Sequence, residues 1–193
     1  MRRPAMTATV TAIVSPLAAE LAGVLAATSA RRVARLGHGR TGWTPPRPRD
    51  PRHWRQGWKV TCGRLAGEDV ALMATGDGPL AAAAGLEALL AAVRPRRLLV
   101  LGVAGGLTPG LAEGTLIAAR RVVDAGGLPV PQDPDASWLD AALRGGAVAG
   151  TAVSADHILA GPAARQAVLR EALAADEARP PAATVDLATV DLE

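Results

Sequence analysis

The run Ala71–Val93, ALMATGDGPLAAAAGLEALLAAV, decides the fold. An apolar stretch ends at Gly76-Asp77-Gly78-Pro79, and an alanine-rich helix over Leu80–Val93 follows. A strand that breaks on glycines directly into a helix is the joint from which α/β domains are built. The spacing G-x-G-x-x-A is also an accepted form of the dinucleotide fingerprint.

The same grammar extends both ways from this joint. Thr7–Val14 is β-branched and apolar and predicts a first strand. Ser15 then reads as an N-cap, with Pro16 opening a helix to Ala27. Arg31–Gln56, rich in Arg, Pro and Gly, shows no periodicity and reads as a loop insertion. Gly57–Arg64 and Glu68–Thr75 read as a hairpin turning at Leu65-Ala66-Gly67. Arg97–Val103, RLLVLGV, predicts a strand buried on both faces. Further strands are expected at Thr115–Val123, Ala147–Val153 and Ala182–Leu187, and helices at Ser137–Leu143 and Pro162–Ala174. The alternation predicts a three-layer α/β/α domain around a mixed, mostly parallel sheet, spanning 1–193 as a single domain. Ligands of such sheets sit beyond the carboxyl ends of the strands. The informative loops are therefore Ser15–Glu20, Thr75–Pro79, Gly102–Leu107 and Ser154–Leu159.

Composition narrows the class. Hydrophobic residues make up 49% of the 193 residues, so the chain has enough apolar matter for a core. Phe and Tyr are absent, and Ala, Leu and Val must fill that core. The net charge of +3 hides a local feature: nine basic residues against one acid, Asp50, lie between Arg31 and Lys59. A nucleic-acid binder is not expected, because nothing outside this one segment supports it. With Cys62 as the single cysteine, neither an intrachain disulfide nor a thiolate metal cluster is possible. No metal or cofactor is expected. The N-terminus MRRPAMTATVTAIV lacks the longer apolar core of a signal peptide, and no run of about 18 uncharged apolar residues predicts a membrane span. A cytoplasmic location is expected.

A dinucleotide site needs an acidic residue at the end of the strand after the first helix. That strand here, RLLVLGVAGG, ends in glycines, and Glu87 lies inside the helix. The NAD reading therefore fails. The second cluster, GVAGGL at Gly102–Leu107, is more specific: glycines directly after a strand let the backbone approach a ligand closely.

Together these segments resemble the nucleoside phosphorylase/nucleosidase superfamily, above all its 5'-methylthioadenosine/S-adenosylhomocysteine nucleosidases. TGDGPLAAAAGLEALL followed by LGVAGGL is similar to that family's S-G-[IM]-G-K-x-x-A-A, strand, N-T-G-x-A-G-G-L order. AIVSPLAAEL resembles its first strand and glutamate-ending loop, GTAVSADHIL its S-G-D-x-F-[IV] segment, and TVDLE its V-[ED]-M-E segment. The resemblance implies cleavage of the N-glycosidic bond of a purine nucleoside or adenosyl thioether through an oxocarbenium-like centre, in a homodimer. It places Glu20 as the carboxylate base that activates water. Thr75, Gly76 and Gly78 would line the sugar and water side. Val103, Ala104 and Gly105 would back the base pocket, and Ile158 or Leu159 would cover the purine, beside His157. Leu192 would lie under the sugar, and Glu193 would hold the ribose hydroxyls and stabilise the cation. Phosphorylases of the superfamily carry an Arg and a Ser at the positions of Val100 and Val103, so water is the expected nucleophile. Arg120 and Arg121 in the next strand offer another anion contact and keep phosphorolysis open.

Two departures accompany the resemblance. The family continues beyond V-[ED]-M-E to an Asp that protonates purine N7, whereas this sequence ends at Glu193. A C-terminally truncated copy is expected, and a catalytically inactive purine-nucleoside-binding or dimerisation domain is the non-enzymatic alternative. The second departure is the basic segment with Trp43, Trp54 and Trp58. Arginine with tryptophan suits an anionic membrane surface. That allows peripheral membrane contact through 31–59 and points to the hopanoid-associated branch of the superfamily, which acts on an adenosylated lipid.

Overall fold

The computed structural model describes residues 10–37, 57–124, 133–155, 158–177 and 188–192. It divides into two compact units, 1–102 and 103–193.

The first unit is built on a five-stranded sheet in the order β2-β3-β4-β1-β5. Its strands are β1 (Thr11–Ser15), β2 (Ser29–Leu36), β3 (Trp58–Leu65), β4 (Glu68–Ala74) and β5 (Arg97–Val100). β1 runs parallel to β4 on one side and to β5 on the other. β2, β3 and β4 form an antiparallel meander. Side chains alternate across this sheet with period two. Ala12, Val14, Val60, Ala71 and Met73 meet Leu89 and Val93 of α2 (Pro79–Val93) on one face. Ile13, Val70 and Leu72 meet Leu21, Val24 and Leu25 on the other, where α1 (Ala22–Ala27) lies. Alanines at the sheet centre let backbones come close, so a core without Phe or Tyr still closes. Burial pushes the Cys62 thiol up from its ordinary value.

The second unit holds a four-stranded sheet in the order β6-β9-β8-β7. Its strands are β6 (Ala104–Gly106), β7 (Ile117–Asp124), β8 (Val148–Ser154) and β9 (Ala188–Leu192). β7, β8 and β9 are parallel, and β6 is antiparallel to β9. Val123 and Val153 pack under Val168 and Ala172 of α4 (Pro162–Glu177), with Leu107 and Leu159 closing the cluster. α3 (Ala136–Arg144) starts on Asp135, whose carboxylate accepts from the amides of Ser137 and Trp138.

The α/β class, with a mixed sheet and flanking helices, is as expected. The β3–β4 hairpin is also where it was expected, closed by Ala66 and Gly67, both at positive φ (50° and 87°). That is the primed turn favoured between twisted strands. Three local expectations are corrected. The helix expected from Pro16 begins only at Ala22, because Ser15 stays in the β1 ladder opposite Ala74 and its hydroxyl serves a side chain rather than capping amides. Arg31–Leu36 is strand, not loop: β2 is an arginine-rich edge strand, and charge on an edge strand hides the apolar alternation. β5 is not buried on both faces. It ends the sheet, with Val100 63% exposed. The strand expected at Ala182–Leu187, and residues 38–56 of the basic segment, lie outside the described residues. Among the described residues no helix is long and apolar enough to cross a membrane.

Thr151 on β8 is 1% exposed, and its hydroxyl has no hydrogen-bond partner. A buried unpaired hydroxyl costs about 1–3 kcal/mol. Thr151→Val keeps the shape and removes that cost. The expected outcome is a melting temperature raised by roughly 2–4 °C per kcal/mol gained, read by calorimetry.

Candidate active site

The first unit places three loops side by side because three of its strands are parallel and adjacent. β1 stands between β4 and β5, so the segments leaving their carboxyl ends emerge at one edge. These are Pro16–Leu21, Thr75–Gly78 and Leu101–Gly102. The ladders continue past the strands. The Thr75 amide donates to the Ser15 carbonyl (2.9 Å), the Gly76 amide to the Pro16 carbonyl (3.1 Å) and the Leu101 amide to the Val14 carbonyl (3.0 Å).

Glu20 sits in the middle loop, partly buried. Its Oε2 accepts from the Ser15 hydroxyl and, at 3.0 Å, from the Leu17 amide. Pro16 lacks an amide hydrogen, so the Leu17 amide is the first backbone donor after Ser15. It closes a short turn that fixes the carboxylate. Gly102 lies beside the carboxylate: a Cβ built on it would stand 3.4 Å from Glu20 Oε1, 3.5 Å from Pro16 Cδ and 3.6 Å from Glu20 Oε2. The β5 loop thus passes beside the carboxylate.

The Thr75 loop is held from behind. Thr75 is 6% exposed, and its hydroxyl points at the carbonyls of Ser15 (3.3 Å) and Gly76 (3.2 Å). It therefore serves the loop's own backbone. The Trp58 indole N–H donates to the Thr75 carbonyl at 2.8 Å. Gly85 of α2 makes room for this contact, since a Cβ there would stand 3.0 Å from Trp58 Nε1 and 3.1 Å from Thr75 Cα. Gly76 and Gly78 have φ of 99° and 84°, a region few other residues adopt. Gly78 then leads into α2, whose first position is Pro79.

In the second unit the glycine cluster becomes β6. Ala104 is opposite Leu192 of β9, and Leu192 is in turn opposite Ser154 of β8. The cluster and β9, far apart along the chain, are thus neighbours within one sheet. Val103, which precedes β6, is 74% exposed. Of the two residues expected to cover a purine, Leu159 is 4% exposed and packed in the core, while Ile158 is 78% exposed. Glu193 and His157 lie outside the described residues. Among the described residues no cluster of three or more His, Cys, Asp or Glu side chains is arranged to hold a metal. Sequence reading picked out the Gly102–Leu107 cluster but missed the hydrogen bonds that Ser15 and Trp58 make behind the loops. The signal that could have found the first of them is a serine at a strand end, five residues before the glutamate.

The chain belongs to the phosphorylase superfamily, whose family model matches residues 22–183. Solved structures share the fold. An S-adenosylhomocysteine nucleosidase from Streptococcus pyogenes, in complex with 5-methylthiotubericidin, superposes with a TM-score of 0.70 at 16% identity, over 97% of this chain and 75% of that one. The 5'-methylthioadenosine/S-adenosylhomocysteine nucleosidase from Neisseria meningitidis, in complex with methylthio-immucillin-A, gives 0.67 at 17% identity, over 95% and 84%. A futalosine hydrolase mutant of Helicobacter pylori gives 0.69 at 13% identity, over 96% and 78%.

Gly85→Ala tests the packing behind the Thr75 loop. Helix propensity alone favours Ala by about 1 kcal/mol. Overpacking against a hydrogen-bonded backbone costs about 1–3 kcal/mol, and the overpacking wins. The expected outcome is a melting temperature lowered by about 2–4 °C, where propensity alone would raise it.

Proposed function

We propose that the chain cleaves the N-glycosidic bond of a purine nucleoside of the adenosyl type, with water as the nucleophile. The observation that carries this reading is the Glu20 carboxylate, fixed through Oε2 by Ser15 and Leu17 at the carboxyl end of the central parallel strand. The complexes of similar nucleosidases with methylthio-substituted inhibitors support an adenosyl thioether as substrate.

In this reading Glu20 takes a proton from water as the water oxygen bonds to the anomeric carbon. The bond from that carbon to the purine nitrogen breaks, its electron pair leaves with the base, and the base takes up a proton from solvent to depart as the neutral purine. Positive charge builds on the ribosyl ring as the bond lengthens. Glu193 is the residue the reading assigns to the ribose hydroxyls, where a carboxylate offsets that charge. Gly76 and Gly78 offer small, backbone-lined turns to the sugar. Ala104 and Gly105 offer main chain to the base, and the exposed Ile158 offers its purine cover. Val100 and Val103 carry no group that binds phosphate, which supports water over phosphate.

Adenine release from 5'-methylthioadenosine and S-adenosylhomocysteine, followed by chromatography, tests the reading. Glu20→Gln keeps the size and hydrogen-bonding shape of the side chain but removes the base. The expected outcome is a fall in kcat of roughly 10²–10⁴ with the fold intact. Unchanged turnover in this variant would sink the assignment of Glu20.

A further inference from the structure

We propose that Ser15 is a positioning residue that ties the Glu20 carboxylate and the Thr75 loop to the same point of the fold. This rests on the reading of Glu20 as the base. Ser15 is 1% exposed and is the last residue of β1. Its two polar ends serve two different loops. The hydroxyl donates to Glu20 Oε2, and the carbonyl accepts from the Thr75 amide at 2.9 Å and from the Thr75 hydroxyl at 3.3 Å.

The consequence for the carboxylate is specific. Two donors, the Ser15 hydroxyl and the Leu17 amide, converge on Oε2. Both carboxylate oxygens lie near Gly102: a Cβ built there would stand 3.4 Å from Oε1 and 3.6 Å from Oε2. The bonds on Oε2 therefore fix the rotation of the carboxylate. A donor on an anionic carboxylate also favours its charged form, which is the form a base requires. Burial of Ser15 keeps its hydroxyl from exchanging Glu20 for solvent water, so the orientation is built in before substrate arrives.

Two variants separate hydrogen bonding from packing. Ser15→Ala removes the donor, and Ser15→Cys restores much of the volume with only a weak donor. Both leave the Ser15 carbonyl in place, so the Thr75 loop stays attached. With 5'-methylthioadenosine, both variants are expected to lose about 10-fold to 100-fold in kcat, the worth of a hydrogen bond to a charged group, with KM within about threefold of the parent. A second readout needs no turnover. Carbon-13 NMR of the side-chain carboxyl in the substrate-free chain, assigned through Glu20→Gln, should show Glu20 titrating at higher pH in both variants than in the parent. If kcat and the Glu20 titration both match the parent, the assignment of Ser15 is overturned. It is equally overturned if the loss appears in KM alone or if the titration does not move. If the parent chain releases no adenine while the Glu20 titration still moves in both variants, Ser15 holds the carboxylate as proposed and the reading of the activity is what fails.

Discussion

The hydrogen-bond ladder between β1 and β4 does not stop where the two strands end, and the candidate site depends on that. The Thr75 and Gly76 amides reach back to the carbonyls of Ser15 and Pro16. Two loops that belong to different strand–helix units thus become one rigid shelf. β5 adds a third member through the Leu101 amide on Val14. Because β4, β1 and β5 are parallel neighbours, a carboxylate that follows β1 is flanked on both sides by glycine-bearing backbone. An antiparallel partner on either side of β1 would send one of these loops to the opposite edge.

Small residues are what make this shelf possible. Gly102 leaves open the space beside Glu20, and Gly85 lets the Trp58 indole hold the Thr75 carbonyl. The alanines of β1, β4 and α2 draw helix and sheet close together. A core without Phe or Tyr is thus matched to a site built from backbone. Side-chain chemistry enters the first unit's cluster mainly through Glu20 and the serine that holds it.

Much of this is legible in the sequence. The glycine joint at Thr75–Pro79, the hairpin before it and the order of strands and helices have strong local signals: apolar runs, glycines at turns and prolines at helix starts. Glu20 is legible only through its place after a strand and the resemblance to a nucleoside-cleaving family. What is not legible depends on pairing across distance. Ser15 resembles a helix cap because capping is local, whereas its bond to Glu20 needs the turn to be known. β2 resembles a loop because its arginines mask the alternation, and only pairing with β3 makes it a strand. RLLVLGV resembles a buried strand because its composition is apolar, yet its position at the end of the sheet leaves Val100 exposed. The neighbourhood of Ala104 and Leu192 across β6 and β9 is likewise a matter of register, which spacing along the chain does not encode.

Water as the nucleophile is the claim on which the chemistry turns, and phosphorus NMR of the complete reaction tests it most directly. The chain is incubated with 5'-methylthioadenosine across a range of phosphate concentrations. Hydrolysis predicts adenine and free methylthioribose at a rate independent of phosphate, with no new sugar-phosphate resonance. A rate that rises with phosphate, together with a pentose 1-phosphate signal, would contradict it.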